Sequence, residues 1–169
     1  MLKNKRFYNI EELEAFIEEN RKEKELTQSF HAFVKACWHV IEGNKPFIDS
    51  WHIGAVCEHL EALHRLEIRK LIINVPPRSS KSTISTIMWP VWTWLHDPSL
   101  QYFCLSHSDD LATRHGVLSR DIITSPWFKE RWGNLFTIKQ DQNNKHMYVN
   151  NKTGFRESCG ILAKITGKG

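Results

Sequence analysis

Residues 75–83, with the sequence VPPRSSKST, are the part of the chain whose residue types and spacing are best suited to bind phosphate. They follow a short apolar run and precede a stretch with helical periodicity. Between a strand and a helix, backbone N–H groups and the helix N-terminus can bind phosphate oxygens. Lys81 followed by Ser82 matches the end of the G-x-x-x-x-G-K-[ST] motif, whose ammonium contacts the β- and γ-phosphates and whose hydroxyl ligates Mg²⁺.

The match to that motif is incomplete. Glycines are expected at positions 75 and 80, where this chain has Val75 and Ser80. A serine-rich turn in which Lys81 and Ser82 only cap a helix is the alternative interpretation. The apolar run before the loop and the helix after it favour phosphate binding over that alternative.

We assign Lys81 to phosphate binding and Ser82 to Mg²⁺, with an exposed lysine and an N-terminal cap as the respective alternatives. Arg78 is the second catalytic candidate, because a guanidinium matches phosphate oxygens and can stabilise the γ-phosphate in the transition state. Its alternative is a solvent-facing loop arginine. The remaining nucleotide-binding candidates of the loop are Pro77, Ser79, Ser80 and Thr83, of which the last three offer mainly backbone N–H groups. Pro76 and Pro77 cannot donate, and they stiffen the entry to the loop.

A buried strand is predicted immediately before the loop. Leu71 to Val75 is a short, β-branched apolar run, which is typical of a parallel strand buried on both faces. A helix is predicted from Lys81 to about His96, and Pro90 should kink or divide it. A second strand follows at about 101–105, so that strand, loop, helix and strand form a βαβ unit.

Further helices and strands are predicted on both sides of this unit. Three helices precede it, at 9–24 with Asn9 as N-cap, at about 27–41 and at about 50–66. Another follows at about 109–124, with Ser108 as N-cap. Short β segments are predicted at 135–139, 146–149 and 154–158. The indoles of Trp89, Trp92 and Trp94 are expected in the core rather than in base stacking, because their helix must pack on the sheet.

The composition is that of an ordinary globular chain. Of 169 residues, 41% are hydrophobic and 25% charged, which excludes disorder as the main state. The net charge of +4 permits a polyanionic partner without arguing for one. The longest mostly apolar stretch, Ile87 to Leu95, is far shorter than a membrane span. The four cysteines and nine histidines show no metal-ligand spacing, and the cysteines are expected to be buried free thiols in a reducing compartment.

From about Phe30 to Gly169 the chain resembles the large, motor subunit of the DNA-packaging terminases of tailed bacteriophages. The resemblance rests on a variant P-loop, or Walker A motif, of the Pro-Pro-Arg-x-x-Lys-Ser type at 76–82, and on the order and spacing of shorter pieces. Those pieces are Trp51-His52-Ile53, Trp89-Pro90-Val91-Trp92, Asp97-Pro98-Ser99, SHSDDLA at 106–112, RDII at 120–123 and Thr166-Gly167-Lys168-Gly169.

The resemblance implies an α/β fold of the ASCE class of P-loop NTPases, with a parallel sheet between flanking helices. Residues 1–45 are expected to form an N-terminal helical segment, and residues 46–169 the N-terminal part of the ATPase domain. The implied ligands are ATP and Mg²⁺. Trp51 and His52 lie where the family reads adenine, although a core position is the preferred interpretation for Trp51. Lys168 is expected either to touch nucleotide or to lie in a simple turn.

The resemblance also implies a function, partners and a location. The family's motor drives double-stranded DNA into a procapsid, in a ring of its own copies, with a portal protein and a small terminase subunit. It acts in the cytoplasm of the bacterial host and is encoded by a phage or prophage. The family's nuclease domain and its Walker B carboxylates are not found in the sequence. We therefore expect a fragment that ends before the Walker B strand, with no useful ATPase rate alone and low solubility.

Two other interpretations remain open at this point. The chain can be part of a different P-loop NTPase, such as a helicase or a small-molecule kinase. It can also be a truncated relic or an interaction module without catalysis.

Overall fold

The computed structural model of the chain describes residues 9–161 and shows a mixed α/β fold. Its helices and strands in chain order are α1 (Ile10–Gln28), α2 (Phe30–Ile41), α3 (Trp51–His64), a π-helical segment (Thr83–Met88), α4 (Trp89–Thr93), β1 (Gln101–Ser106), α5 (Asp109–Thr124), α6 (Pro126–Trp132), β2 (Ile138–Asn143), β3 (Met147–Asn150) and β4 (Phe155–Gly160).

Short polar side chains set the starts of four α-helices. Asn9 Oδ1 accepts a hydrogen bond from the Glu12 amide at 2.7 Å. The hydroxyls of Ser29, Ser108 and Ser125 each accept from the amide three residues later, at 3.2–3.3 Å. These bonds satisfy amides that have no partner inside the helix, which is why such residues favour the N-cap.

The four strands form one mixed sheet in the order β1-β4-β3-β2. β1 and β4 are parallel, with Tyr102 opposite Arg156, while β3 is antiparallel to both β4 and β2. Alternate residues of β4, including Arg156 and Ser158, are buried against α5, which crosses this face of the sheet. On β1 the opposite face, with Phe103 and Leu105, is exposed. Only one face of the β1–β4 pair is therefore covered by the described helices.

The hydrophobic core lies between the helices and the covered face of the sheet. α2 contributes Phe30, Phe33, Val34 and Cys37, whose spacing of three and four residues places them on one side of the helix. The residues after the loop add Trp92 and Trp94, which are 2% and 1% exposed. The prediction that the tryptophan-rich helix packs in the core is confirmed, with Trp89 half-buried at its edge.

The cysteines are free thiols, as predicted, but only two are fully buried. Cys37 and Cys57 lie in the core, whereas Cys104 and Cys159 are half-buried on neighbouring strands. Burial raises the pKa of Cys57 to about 12, so its thiol stays protonated at neutral pH. Among the residues that the structure describes, no helix is both long enough and apolar enough to cross a membrane.

Most of the predicted elements are present with small shifts. β1 and α5 begin at the predicted residues, and the N-caps Asn9 and Ser108 are confirmed. α1 continues to Gln28, and α2 begins at Phe30 rather than at about residue 27, because Ser29 caps the second helix. The third helix ends at His64, two residues earlier than predicted.

The predicted strand Leu71–Val75 is wrong. The segment belongs to none of the four strands, and Ile72 is 94% exposed instead of buried. A strand needs a hydrogen-bonded neighbour, and the parallel neighbour of β1 is β4 rather than this segment. The predicted βαβ unit is therefore not formed, and the sheet is mixed rather than parallel.

Three details after the loop also differ from prediction. The predicted helix 81–96 ends at Thr93 and contains the π-helical segment before Pro90. α6 was not predicted, although Ser125 followed by Pro126 is a favourable helix start. The strand predicted at 135–139 begins at Ile138, because the chain first turns after α6, where the Leu135 amide donates to the Trp132 carbonyl at 2.9 Å.

Candidate functional site

The predicted phosphate loop connects the unpaired extended segment 71–75 to the helix that follows it. Helical geometry begins at Lys81 and Ser82, and the Ile84 amide donates to the Ser80 carbonyl at 3.0 Å. The Ser79 hydroxyl donates to the Pro76 carbonyl at 2.7 Å and closes the loop on itself. The first amides of the helix therefore lie directly behind the loop, where they have no partner within the helix.

Two residues of the loop have left-handed backbone conformations. The φ angles are +66° at Arg78 and +57° at Ser80. Residues other than glycine rarely adopt this backbone conformation. Position 80 is where the P-loop motif has glycine, the residue that adopts the left-handed region most readily. Left-handed residues in a loop also turn successive amides toward one side, which is how backbone anion sites are built.

Residues 75–83 line a hollow of about 350 Å³. It brings together the loop candidates named from the sequence: Pro77, Arg78, Ser79, Ser80, Lys81, Ser82 and Thr83. Lys81 and Arg78 are exposed, and within residues 9–161 neither makes an ion pair. No Asp or Glu is among the residues that line the hollow. Two cations without a counter-charge give the hollow a positive potential.

A second hollow of about 430 Å³ shares the loop residues 78–80 with the first. Its walls are mostly apolar, with Trp38, Pro46, Ile48 and Ile53 among them. His52 also lines it, and its Nδ1 lies 3.1 Å from the Ser50 hydroxyl at the start of α3. The second hollow is apolar with a few polar groups, and the first hollow beside it is lined by cations. Such a pair of cavities suits a ligand in which a planar ring is attached to an anion.

The structure does not place Trp51 in the core, so the preferred interpretation of this residue is wrong. Its side chain is 86% exposed. The buried residues of α3 are Ile53, Cys57 and Leu60, and a residue two positions before Ile53 points to the opposite side of a helix. Trp51 lines a third hollow, of about 270 Å³, together with His52 and the extended segment 71–75.

Side-chain hydroxyls are the oxygen donors that the loop offers a metal. Ser82 is exposed at the second helical residue, and no group of three or more His, Cys, Asp or Glu suitable for a metal occurs in the described part of the chain. Mg²⁺ commonly keeps several waters and takes most other ligands from substrate phosphates. The donor set thus suits a Mg²⁺ ion that arrives with a polyphosphate.

Sequence reasoning missed Arg156, which is fully buried on β4 and donates to the Thr86 carbonyl behind the loop. The two-residue alternation of β4 places 154, 156, 158 and 160 on one face, but their small or polar side chains would assign that face to solvent, so the sequence carried no signal for the burial of Arg156. Lys168 and the rest of the predicted loop 166–169 lie outside the described residues.

Comparisons with protein-family models, with curated proteins and with solved structures find no match to this chain.

Proposed function

We propose that the loop 76–83 binds the polyphosphate of a nucleotide, ATP with Mg²⁺, as a variant P-loop. The observation that carries the proposal is a hollow that combines Arg78 and Lys81, both without ion pairs in the described chain, with left-handed loop residues in front of a helix start. Each of these features favours an anion, and together they favour one with several negative charges.

The residues of the hollow have distinct roles in this proposal. The Lys81 ammonium binds the β- and γ-phosphates, and the Arg78 guanidinium binds the γ-phosphate, where it can stabilise charge during transfer. Amides at the start of the helix bind the remaining oxygens. Mg²⁺ supplies charge neutralisation between the phosphates, with the Ser82 hydroxyl as its protein ligand. The base lies in the adjoining apolar hollow beside His52.

At a finer level we propose that this segment belongs to a P-loop ATPase of the terminase large-subunit type, which packages double-stranded DNA into procapsids. Support comes from the position of the resembling pieces. Asp97-Pro98-Ser99 forms a turn in which Asp97 Oδ1 accepts from the Ser99 amide at 2.9 Å. The segment 106–112 covers the end of β1 and the start of α5. The proposed partners are double-stranded DNA, a portal protein, a small subunit and further copies of the chain.

Titration calorimetry of the chain with Mg·ATP tests the nucleotide site. Lys81→Ala should reduce affinity by roughly tenfold or more, because hydrogen bonds to charged groups contribute about 1.5–3 kcal/mol. Lys129→Ala, which removes an exposed lysine from α6, is the matched control and should bind as the wild type does. Equal affinity of the Lys81→Ala variant and the wild type contradicts the proposal.

The finer assignment is tested by DNA binding in the presence of a non-hydrolysable ATP analogue. A packaging motor should prefer double-stranded to single-stranded DNA of the same length, whereas a helicase should prefer the single strand. Preference for the single strand, or no binding of either form, contradicts the terminase assignment while leaving the nucleotide site intact.

A further inference from the structure

The helix that follows the loop is π-helical from Thr83 to Met88, and Pro90 lies two residues beyond this segment. The Trp89 amide donates to the Ile84 carbonyl, five residues earlier. Proline has no N–H, and its ring clashes with the carbonyl four residues earlier, which here is that of Thr86. The α-helical partner of the Thr86 carbonyl is therefore absent, and π turns of this kind are often found at functional sites.

Side chains from outside the helix bind the carbonyls at this point. Arg156 Nη2 on β4 donates to the Thr86 carbonyl at 3.3 Å. The Ser119 hydroxyl on α5 donates to the Ile87 carbonyl at 2.9 Å, and it accepts from the Tyr148 hydroxyl on β3 at 3.0 Å. Two consecutive carbonyls of the π segment are thus held by groups anchored in the sheet and α5.

Burying the charged side chain of Arg156 costs free energy, because the guanidinium loses its hydration. It is 0% exposed, no carboxylate pairs with it within residues 9–161, and its Nε has no hydrogen-bond partner. Its Nη1 donates to the Ser158 hydroxyl. Room for the guanidinium depends on Gly116, where a Cβ atom would lie 2.7 Å from Nη1. An apolar side chain of similar volume is often as stable as a buried ion, so packing alone does not account for this residue.

We propose that Arg156 is a positioning residue for the phosphate loop. By holding the Thr86 carbonyl it maintains the π turn, and the π turn sets the rotation at which Lys81 and Ser82 face the hollow. Replacing a π turn by an α turn shifts the helical phase by one residue, which rotates the start of the helix by roughly 100° relative to α4. The inference rests on the proposed polyphosphate site, because its functional consequence is the placement of Lys81.

The test compares the affinities of the chain for Mg·ATP and for AMP by calorimetry, in wild type and in Arg156→Met. The affinity ratio of ATP to AMP reports contacts to the outer phosphates. We expect Arg156→Met to lower this ratio roughly tenfold, as expected for one lost charged hydrogen bond, in a chain that still unfolds cooperatively in urea. Its urea midpoint should fall, because the Thr86 carbonyl and the Ser158 hydroxyl lose a donor. Arg114→Met, at an exposed position of α5, is the matched control and should keep the ratio.

Pro90→Ala is the second variant, because it returns an N–H to residue 90 and allows an α turn without removing Arg156. While Arg156 still holds the Thr86 carbonyl, this variant should keep the ratio near that of the wild type. Adding Pro90→Ala to Arg156→Met gives the freed carbonyl an α-helical donor, and the double variant should lower the ratio further than Arg156→Met alone. An unchanged ratio in a folded Arg156→Met chain overturns the inference. If that chain does not fold, Arg156→Lys takes its place, because one ammonium cannot hold both Thr86 and Ser158, and an unchanged ratio there overturns the inference.

Amide hydrogen exchange without nucleotide separates this inference from the proposed function. If the wild type binds neither nucleotide, the polyphosphate site is wrong. Arg156 is still identified as the residue that holds the π turn if exchange at 83–89 accelerates in Arg156→Met and not in Arg114→Met. Exchange that is equal in all three chains overturns that role.

Discussion

At the scale of single residues, Ser80 has a backbone conformation that its side chain disfavours. A left-handed conformation costs about 1–2 kcal/mol for a residue other than glycine. Ser82, two residues later, has φ −67° and ψ −36°, which is ordinary right-handed helix. The two serines therefore differ in conformation while sharing the same side chain and nearly the same place in the chain.

Ser80→Gly should raise the free energy of unfolding by about 0.5–1 kcal/mol, because the strain is removed and only part of that gain is lost to the greater freedom of glycine in the unfolded chain. Ser82→Gly should lower it by about 0.5–1 kcal/mol, as glycine does within helices. Urea denaturation followed by circular dichroism measures both. Destabilisation of similar size in the two variants contradicts the left-handed conformation at position 80.

Only those parts of the candidate site that depend on residues adjacent in the chain could be predicted from the sequence. Lys81 and Ser82 could be named as candidates because their motif is contiguous, and the loop to which they belong forms a hollow of contiguous residues. The exposure of Trp51 was not predicted, because it depends on which side of α3 faces the core. Arg156 was missed because its contact with Thr86 joins residues 70 positions apart.

At the scale of elements, two histidine rings pack against each other where α1, α3 and α4 meet: His64 ends α3, and His96 follows α4. The ring centroids of His64 and His96 lie 4.7 Å apart, and both rings contact Trp92. Burial lowers the pKa of His64, and the proximity of His96 lowers it further. Burial also lowers the pKa of His96, although nearby Glu61 acts in the opposite direction. Both imidazoles are thus favoured in the neutral form.

A histidine whose pKa is lower in the folded than in the unfolded chain makes stability depend on pH. The unfolded chain takes up protons first as the pH falls through the ordinary histidine value of 6.5, so protonation favours unfolding. The contribution is complete above that pH and decreases below it. We therefore expect the free energy of unfolding to fall between pH 7.5 and pH 5.5, measured by urea denaturation.

The double variant His64→Gln, His96→Gln should weaken this dependence, leaving the part that comes from His115, whose pKa burial also lowers. His59→Gln, at an exposed position of the same helix, controls for the loss of a histidine from α3. A slope in the double variant equal to that of the wild type shows that these two rings are not its source.

Helices and strands were predicted correctly where they depend on residues close in the chain, and wrongly where they depend on distant segments. α5 was predicted to the residue, because Ser108 caps it and its periodicity is clear. Leu71–Val75 has the composition of a strand, but pairing is decided by which segment lies beside β1, and that segment is β4. The π turn combines a local cause, Pro90, with a distant one, Arg156, so only the disruption itself was predictable.

At the scale of the whole molecule, several apolar surfaces are left uncovered by the described residues, and two of them lie on the sheet and on the segment before the loop. One is the outer face of the β1–β4 pair, where the rings of Phe103 and Phe155 lie 5.3 Å apart beside exposed Leu105. The other is the extended segment 71–75, where Ile72 points outward. Exposed apolar patches and unpaired extended segments promote association between chains.

Ile72→Lys should reduce concentration-dependent self-association, because it removes apolar surface and adds charge to an unpaired segment. Asn74→Lys adds the same charge on the same exposed side without removing apolar surface, and it should reduce association less. Sedimentation velocity over a range of concentrations measures both. A wild-type chain that stays monomeric at the highest concentration contradicts the prediction.

The exposure of Trp51 has an optical consequence. It is exposed while the other six indoles of the chain are buried or half-buried, so aqueous iodide should quench its emission in preference to theirs. Because Trp51 lies beside the hollows next to the loop, a molecule that settles there should shield this indole and shift the red edge of the spectrum. The native chain thus carries a selectively quenchable fluorophore beside the third hollow, without any label.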